Sequence, residues 1–300
     1  MMSRRAQQRL KDQNHFRTNA FIIIDSMLEW CTQTGRTDLL DEILHGILFL
    51  GKINKPPFSP EEIFLDLLSH LAAEYPRPFD HYMTHLPRRS PFSCVLDMVV
   101  HLTQPQNEME IRRILKDLVD NLERGFLVST AICVSQYKNS VKYGVSMSTT
   151  GSIARKIVTA ASCLSSYWDE YVADAVMTFN LSDQTRRTDF DGTFVLPRSV
   201  TCRAYYVNIN RILPPCGSCG ELFGLHTRSG NGFPYGNCAE AESLSNLFTS
   251  HQEMRKRFRP TSEFYTEQGR EAARADTLRV LLKMLQRVRF NTERIEYYTP

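Results

Sequence analysis

Long apolar runs are missing from this sequence. Uninterrupted stretches such as Ala20 to Ile24 fall far short of the roughly 18 residues that a membrane-spanning helix needs, so no membrane partner is expected. Strong charge of one sign is missing too. The chain carries 36 Lys plus Arg against 33 Asp plus Glu, a net +3, with 42% hydrophobic residues, which excludes a largely disordered protein. Gly and Pro stand at 14 each, too few for a collagen-like or Pro-rich chain. No apolar stretch follows closely on the basic opening Met-Met-Ser-Arg-Arg, so no secretory leader is expected. The eight cysteines are then expected to stay reduced in an intracellular setting, cytoplasmic or nuclear. A length of 300 residues suggests two domains.

Residues 1–125 read as an all-α domain. Phe21, Ile24, Met27, Leu28 and Cys31 recur at helical spacing, and Leu39, Leu40, Ile43, Leu44, Ile47 and Leu50 repeat it after a capping Thr37 or Asp38. Ser59-Pro60-Glu61-Glu62 starts another helix, with a capping Ser, Pro at the first helical position and acids in the first turn. Further stripes run through Cys94 to Leu102 and from about Glu108 to Glu123. His81 and His85 are spaced to share a helix face, but the Tyr-Met-Thr between them completes no zinc helix motif, so surface or hydrogen-bonded histidines are the better reading. The expected role of this domain is scaffolding or contact with a protein partner.

Residues 126–300 read as an α/β domain. Leu127–Gln136 and Lys142–Met147 suggest two antiparallel strands, and a long helix is expected from about 151 to 179. Ala204–Ile209 suggests a buried strand, followed by helices near 239–248 and 267–290. The last of these carries Leu278, Leu281, Leu282, Leu285 and Val288 as its apolar stripe. Two short motifs here are discounted. Asp189-Phe190-Asp191-Gly192-Thr193 spells a phosphatase signature but lacks the apolar strand that must precede it, so it reads as a turn. Ser148-Thr149-Thr150-Gly151-Ser152 lacks the Gly-Lys-Ser/Thr of a phosphate loop and reads as a helix cap.

The chemistry is concentrated in two nearby motifs, Pro214-Pro215-Cys216-Gly217-Ser218-Cys219 and Gly236-Asn237-Cys238-Ala239-Glu240. A Cys-x-x-Cys turn brings two thiolates to one metal, Cys238 offers a third, and zinc takes four ligands. Three protein ligands leave one position for water, whose pKa zinc lowers toward about 7. Glu240 is then placed to move protons without ligating.

Together these residues resemble the zinc-dependent cytidine and nucleobase deaminases, whose signature pairs Pro-Cys-x-x-Cys with His-or-Cys-x-Glu. The three-thiolate form is similar to that of free-nucleoside cytidine deaminases and several toxin-type deaminases. The resemblance implies a three-layer α/β domain of the cytidine deaminase type with its motifs permuted, since the Cys-Ala-Glu helix precedes Pro-Cys-x-x-Cys in that family and follows it here. It implies zinc on Cys216, Cys219 and Cys238, attack of zinc-bound water on a nucleobase in a nucleoside, nucleotide or nucleic acid, and Glu240 as proton shuttle. Ala239 and Pro215 would contact the base and departing amine, and Asn208 or Asn210 a sugar.

Two other readings of the same residues remain. His226 lies between the motifs, and Cys216, Cys219, His226 and Cys238 would make a closed structural zinc site in a non-enzymatic interaction protein. Alternatively the thiols are simply buried without metal. Residues 253–300 carry 11 basic against 7 acidic residues, densest at Arg255-Lys256-Arg257-Phe258-Arg259. A core-packing helix with a solvated basic face explains this, and an edge for single-stranded nucleic acid is the sharper alternative.

Overall fold

The computed structural model describes residues 4–300 apart from 210, 228, 229 and 231, with side chains from residue 14 onward. The protein is mixed helix and sheet and divides into two compact units. The first comprises residues 1–129, 148–155 and 288–300, and the second 130–147 and 156–287. The chain therefore passes between units several times, where the sequence suggested a single division near residue 125.

In the first unit α1 (Arg4–Thr34), α2 (Thr37–Ile53) and α6 (Pro91–Thr103) pack on one another, and α7 (Glu108–Asp120) packs on α6. Most of the apolar stripes read from sequence form this core: Ile24, Met27, Leu40, Ile43, Leu44, Ile47, Val95 and Val99 are buried, whereas Phe21, expected in the α1 stripe, is 38% exposed and Ile23 is buried in its place. Between α2 and α6 lie the short helices α3 (Pro60–Phe64), α4 (Leu68–Glu74) and α5 (Pro76–His81), then the strand β1 (His85–Leu86). Ser59 opens α3 through a reciprocal box in which Glu62 N–H donates to its hydroxyl at 3.3 Å and the Glu62 carboxylate accepts its N–H at 2.8 Å. His81 and His85 do not share a helix face, because α5 stops at His81 and His85 is in a strand.

The second unit is built on a four-stranded antiparallel sheet in the order β3-β2-β4-β5. Its members are β2 (Ala131–Tyr137), β3 (Ser140–Val145), β4 (Val200–Tyr206) and β5 (Ile212–Leu213). The expected helix over 151–179 is broken. Helix α8 (Ser152–Leu164) ends at a pair of serines, Ser166 takes a positive φ of 60°, and Asp169 caps a separate α9 (Glu170–Met177) by accepting the Tyr171 N–H at 2.9 Å. Local capping chemistry outweighs the continuous apolar periodicity here. Asp189 to Thr193 lies in irregular chain, with Asp191 accepting the Thr193 N–H at 3.1 Å and hydroxyl at 2.7 Å, an Asx-type turn.

After β5 come α10 (Gly217–Phe223), α11 (Ala239–Ser250), α12 (Gln252–Arg255) and α13 (Glu267–Arg287). Helix α11 lies across β3, β2 and β4. The inward face of α13 is Ala273, Thr277, Leu281, Met284 and Leu285, whereas Leu278, expected in its stripe, is 38% exposed. Two residues of the basic run are ion-paired, Arg255 with Asp169 and Glu170 at 2.6 Å each and Lys256 with Glu253 at 2.6 Å, and Arg270 on α13 contacts Asp174 at 3.0 Å. A final strand, β6 (Glu296–Tyr297), belongs to the first unit and pairs in parallel with β1. Among the described residues, no helix is long and apolar enough to cross a membrane.

Candidate metal centre

The centre is made where two helices begin. Cys216 is the residue that opens α10, its carbonyl accepting the Gly220 N–H at 3.1 Å. Cys238 opens α11 in the same way, its carbonyl accepting the Ala241 N–H at 3.2 Å. Both take extended backbone angles, as residues that precede a helix do. Cys219 lies one turn into α10 and is completely buried.

These two starts bring the three sulfurs together. The Cys216 Sγ lies 3.7 Å from that of Cys219 and 3.4 Å from that of Cys238, and all three fall within 4.8 Å of one another. Thiolates on a tetrahedral zinc at about 2.3 Å stand roughly 3.8 Å apart, so the donor set fits that ion. Among the described residues it is the one group of three or more Cys, His, Asp or Glu side chains close enough to hold a metal.

The thiols also polarise one another. Hydrogen bonds from Cys219 and Cys238 hold the Cys216 thiol far below its ordinary value. The same bonds, with burial added, raise Cys219 and Cys238.

Glu240 sits in the first turn of α11 and is 5% exposed. Burial pushes its carboxyl up to about 7, with the charge of the nearby Cys216 adding to the rise. Glu242, two residues on, is equally buried but committed to the fold: its carboxylate accepts the Val145 N–H at 2.7 Å and the Tyr167 hydroxyl at 2.9 Å.

The other residues singled out in the sequence distribute as follows. His226 is exposed and does not join the three sulfurs. It lines a cavity of about 930 Å³ beside α10, with Ser218, Glu221, Thr227, Phe233 and Tyr235. The Ala239 methyl packs into the sheet with Cys133 and Ala204. Pro215 is half-buried on the segment that leads into Cys216, and Asn208 is exposed after β4. Asn210 lies outside the described residues.

Two features of the centre were not singled out in the sequence. The Ser218 hydroxyl donates to the Phe233 carbonyl, which ties the loop before Cys238 to α10. Gly144 lets α11 lie directly on β3: a Cβ there would stand 2.2 Å from Ser243 N and 2.6 Å from Ala239 O. A lone glycine inside a strand pattern was the available signal, since it marks close approach of another backbone.

Compared with protein-family models, with curated proteins and with solved structures, the chain matches none significantly.

Proposed function

We propose that the second unit is a zinc-dependent hydrolytic deaminase acting on a nucleobase carried by a nucleoside, nucleotide or nucleic acid, on a permuted three-layer scaffold of the cytidine deaminase type. The observation that carries this reading is the meeting of three thiols at the starts of α10 and α11 with the buried Glu240 beside them. Zinc held by Cys216, Cys219 and Cys238 would supply an acidified water at its fourth position. The Glu240 carboxylate takes a proton from the attacking water and delivers it to the departing amine. The net change replaces an exocyclic amine by the oxygen of water and releases ammonia. The cavity beside α10 is lined by Gly217, Ser218 and Gly220, chain neighbours of Cys216 and Cys219, and has room for an organic substrate. The closed Cys3His alternative is disfavoured by the placement of His226 in that cavity, away from the sulfurs.

The test is zinc analysis followed by an ammonia-release screen over cytosine, adenine and guanine as free nucleosides, nucleotides and short single strands. The zinc-loaded protein is expected to release ammonia from one of them. Glu240→Gln should keep zinc and stability and lose turnover. Ammonia release by Glu240→Gln at the wild-type rate would refute the assigned chemistry, as would a zinc-loaded protein inert toward the whole panel.

A further inference from the structure

The first unit holds a second constellation, unrelated to the thiols. Strand β6 pairs in parallel with β1, with His85 opposite Glu296 and Leu86 opposite Tyr297. Tyr298 follows, donates its backbone N–H to the Leu86 carbonyl at 2.8 Å and is 2% exposed. Its ring lies flat on that of His45 from α2, with centroids 3.9 Å apart and planes within 5°. Its hydroxyl donates to the Asp41 carboxylate. Arg77 stands 5.8 Å from the same ring and donates to the Thr299 carbonyl at 2.9 Å.

Two more imidazoles adjoin it. The His81 ring lies 4.5 Å from that of His85 and 6.2 Å from that of Tyr298. His85 Nε2 is 3.0 Å from a Glu296 carboxylate oxygen. His45 itself is fully buried. The charged groups around it are Asp41 and Glu42 on α2, Arg77 at the start of α5, and Arg294 and Glu296 from the docked segment. Glu42 is engaged by Arg89 at 2.6 Å, which also holds Asp97 of α6.

We propose that residues 294–299 form an acid-released latch: proton uptake by the buried His45 imidazole stacked on Tyr298 detaches β6 from β1, against the opposing pull of the His85–Glu296 pair, while the helices of the first unit stay folded. The direction follows from the burial. Desolvation holds the His45 imidazole down to about 3, and burial with the neighbouring His81 lowers His85. The latched form therefore binds fewer protons at His45 than the released form, in which an exposed imidazole has its ordinary value near 6.5. The latch is intact above about pH 6.5 and is lost as pH falls toward 3. Asp41, raised by burial, acts in the opposite sense, but in the carboxylate range. Below about pH 6.5, each pH unit shifts the equilibrium up to tenfold per proton taken up. His45 alone thus accounts for a shift on the order of a hundredfold at pH 4.5.

Hydrogen exchange read by NMR on the full chain tests this. Between pH 7 and 4.5, protection of the Tyr298 amide, corrected for intrinsic exchange, should fall on the order of a hundredfold while α2 and α6 amides keep theirs. His45→Phe keeps an aromatic ring against Tyr298 and removes the titrating group, so most of that fall should disappear. Unchanged Tyr298 protection across the pH range overturns the proposal, as does loss of protection throughout the first unit at the same pH. The wild-type series decides the matter by itself if His45→Phe does not fold.

Discussion

Gly144→Ala is the sharpest single test of how the fold positions the centre. The added Cβ would stand 2.2 Å from Ser243 N, 2.6 Å from Ala239 O and 2.8 Å from Glu242 C, and all three are backbone atoms of α11. Ordinary contact begins at 3.4 Å, so α11 must retreat by roughly 1.2 Å. Three hydrogen bonds hold it where it is: Glu242 to Val145 N–H at 2.7 Å, Ser243 to Ser135 at 2.8 Å and Asn246 to the Tyr143 carbonyl at 2.9 Å. A retreat of that size takes each of them past hydrogen-bond distance. At about 1 kcal/mol apiece the loss is about 3 kcal/mol, a large part of the 5–15 kcal/mol that typically holds a domain together. The entropy that alanine removes from the unfolded chain returns only about 0.4–1 kcal/mol. Net destabilisation of about 2–3 kcal/mol is expected, read as a lower urea midpoint by circular dichroism. Because Cys238 opens α11, the zinc binding proposed for the three thiols should weaken as well. A Gly144→Ala protein with the wild-type midpoint and full zinc would refute the account of how α11 is seated.

Three further outcomes are expected. His226→Ala should keep its zinc and its unfolding midpoint, because the imidazole is outside the sulfur cluster, while chelation should destabilise the second unit by about 2.7 kcal/mol relative to protein in free zinc at a hundred times the dissociation constant; metal analysis and urea unfolding check both, and zinc lost with His226 would restore the closed-site reading. Asp174, buried beside Arg270 and the Tyr265 hydroxyl, is raised by burial to about 6, so the folded state holds its proton more tightly than the unfolded state and its contribution to stability is lost as pH rises from about 4 to 6; the stability of Asp174→Asn relative to wild type should therefore climb by up to about 3 kcal/mol over that interval, and a flat difference curve would contradict the assignment.

The sequence revealed those parts of the structure that are decided locally. The capping box at Ser59 needs only residues three apart, and the stripes along α2 and α6 need only one turn's periodicity to predict which side chains are buried. The sulfur cluster was legible because Cys216, Cys219 and Cys238 are chemically distinctive and two of them share a turn. The break between α8 and α9 was hidden because Ala161, Leu164 and Trp168 keep helical spacing across it, while the deciding groups, Ser166 and the cap Asp169, are common residues in any helix surface. Leu278 misled for the opposite reason: α13 has more apolar residues than its inward face can bury. The pairing of β1 with β6 joins residues some 210 positions apart through two-residue strands, and no periodicity can register in so short a segment.

Glu240 and Glu242 show how a two-residue offset assigns different work to the same side chain. Successive residues on a helix turn by about 100°, so positions two apart point to nearly opposite sides. Glu242 turns toward β3 and satisfies a strand N–H that the sheet edge leaves open. Glu240 thereby turns toward Cys219, with no strand donor competing for it. The register is fixed by Cys238, since the residue that opens the helix sets where every later side chain points. The same reasoning removes any dependence on motif order. Each motif contributes a helix start carrying a thiol, and two such starts can face one another whichever comes first in the chain. What the cluster requires is the seat of α11 on the sheet, and that seat depends on the missing side chain at Gly144.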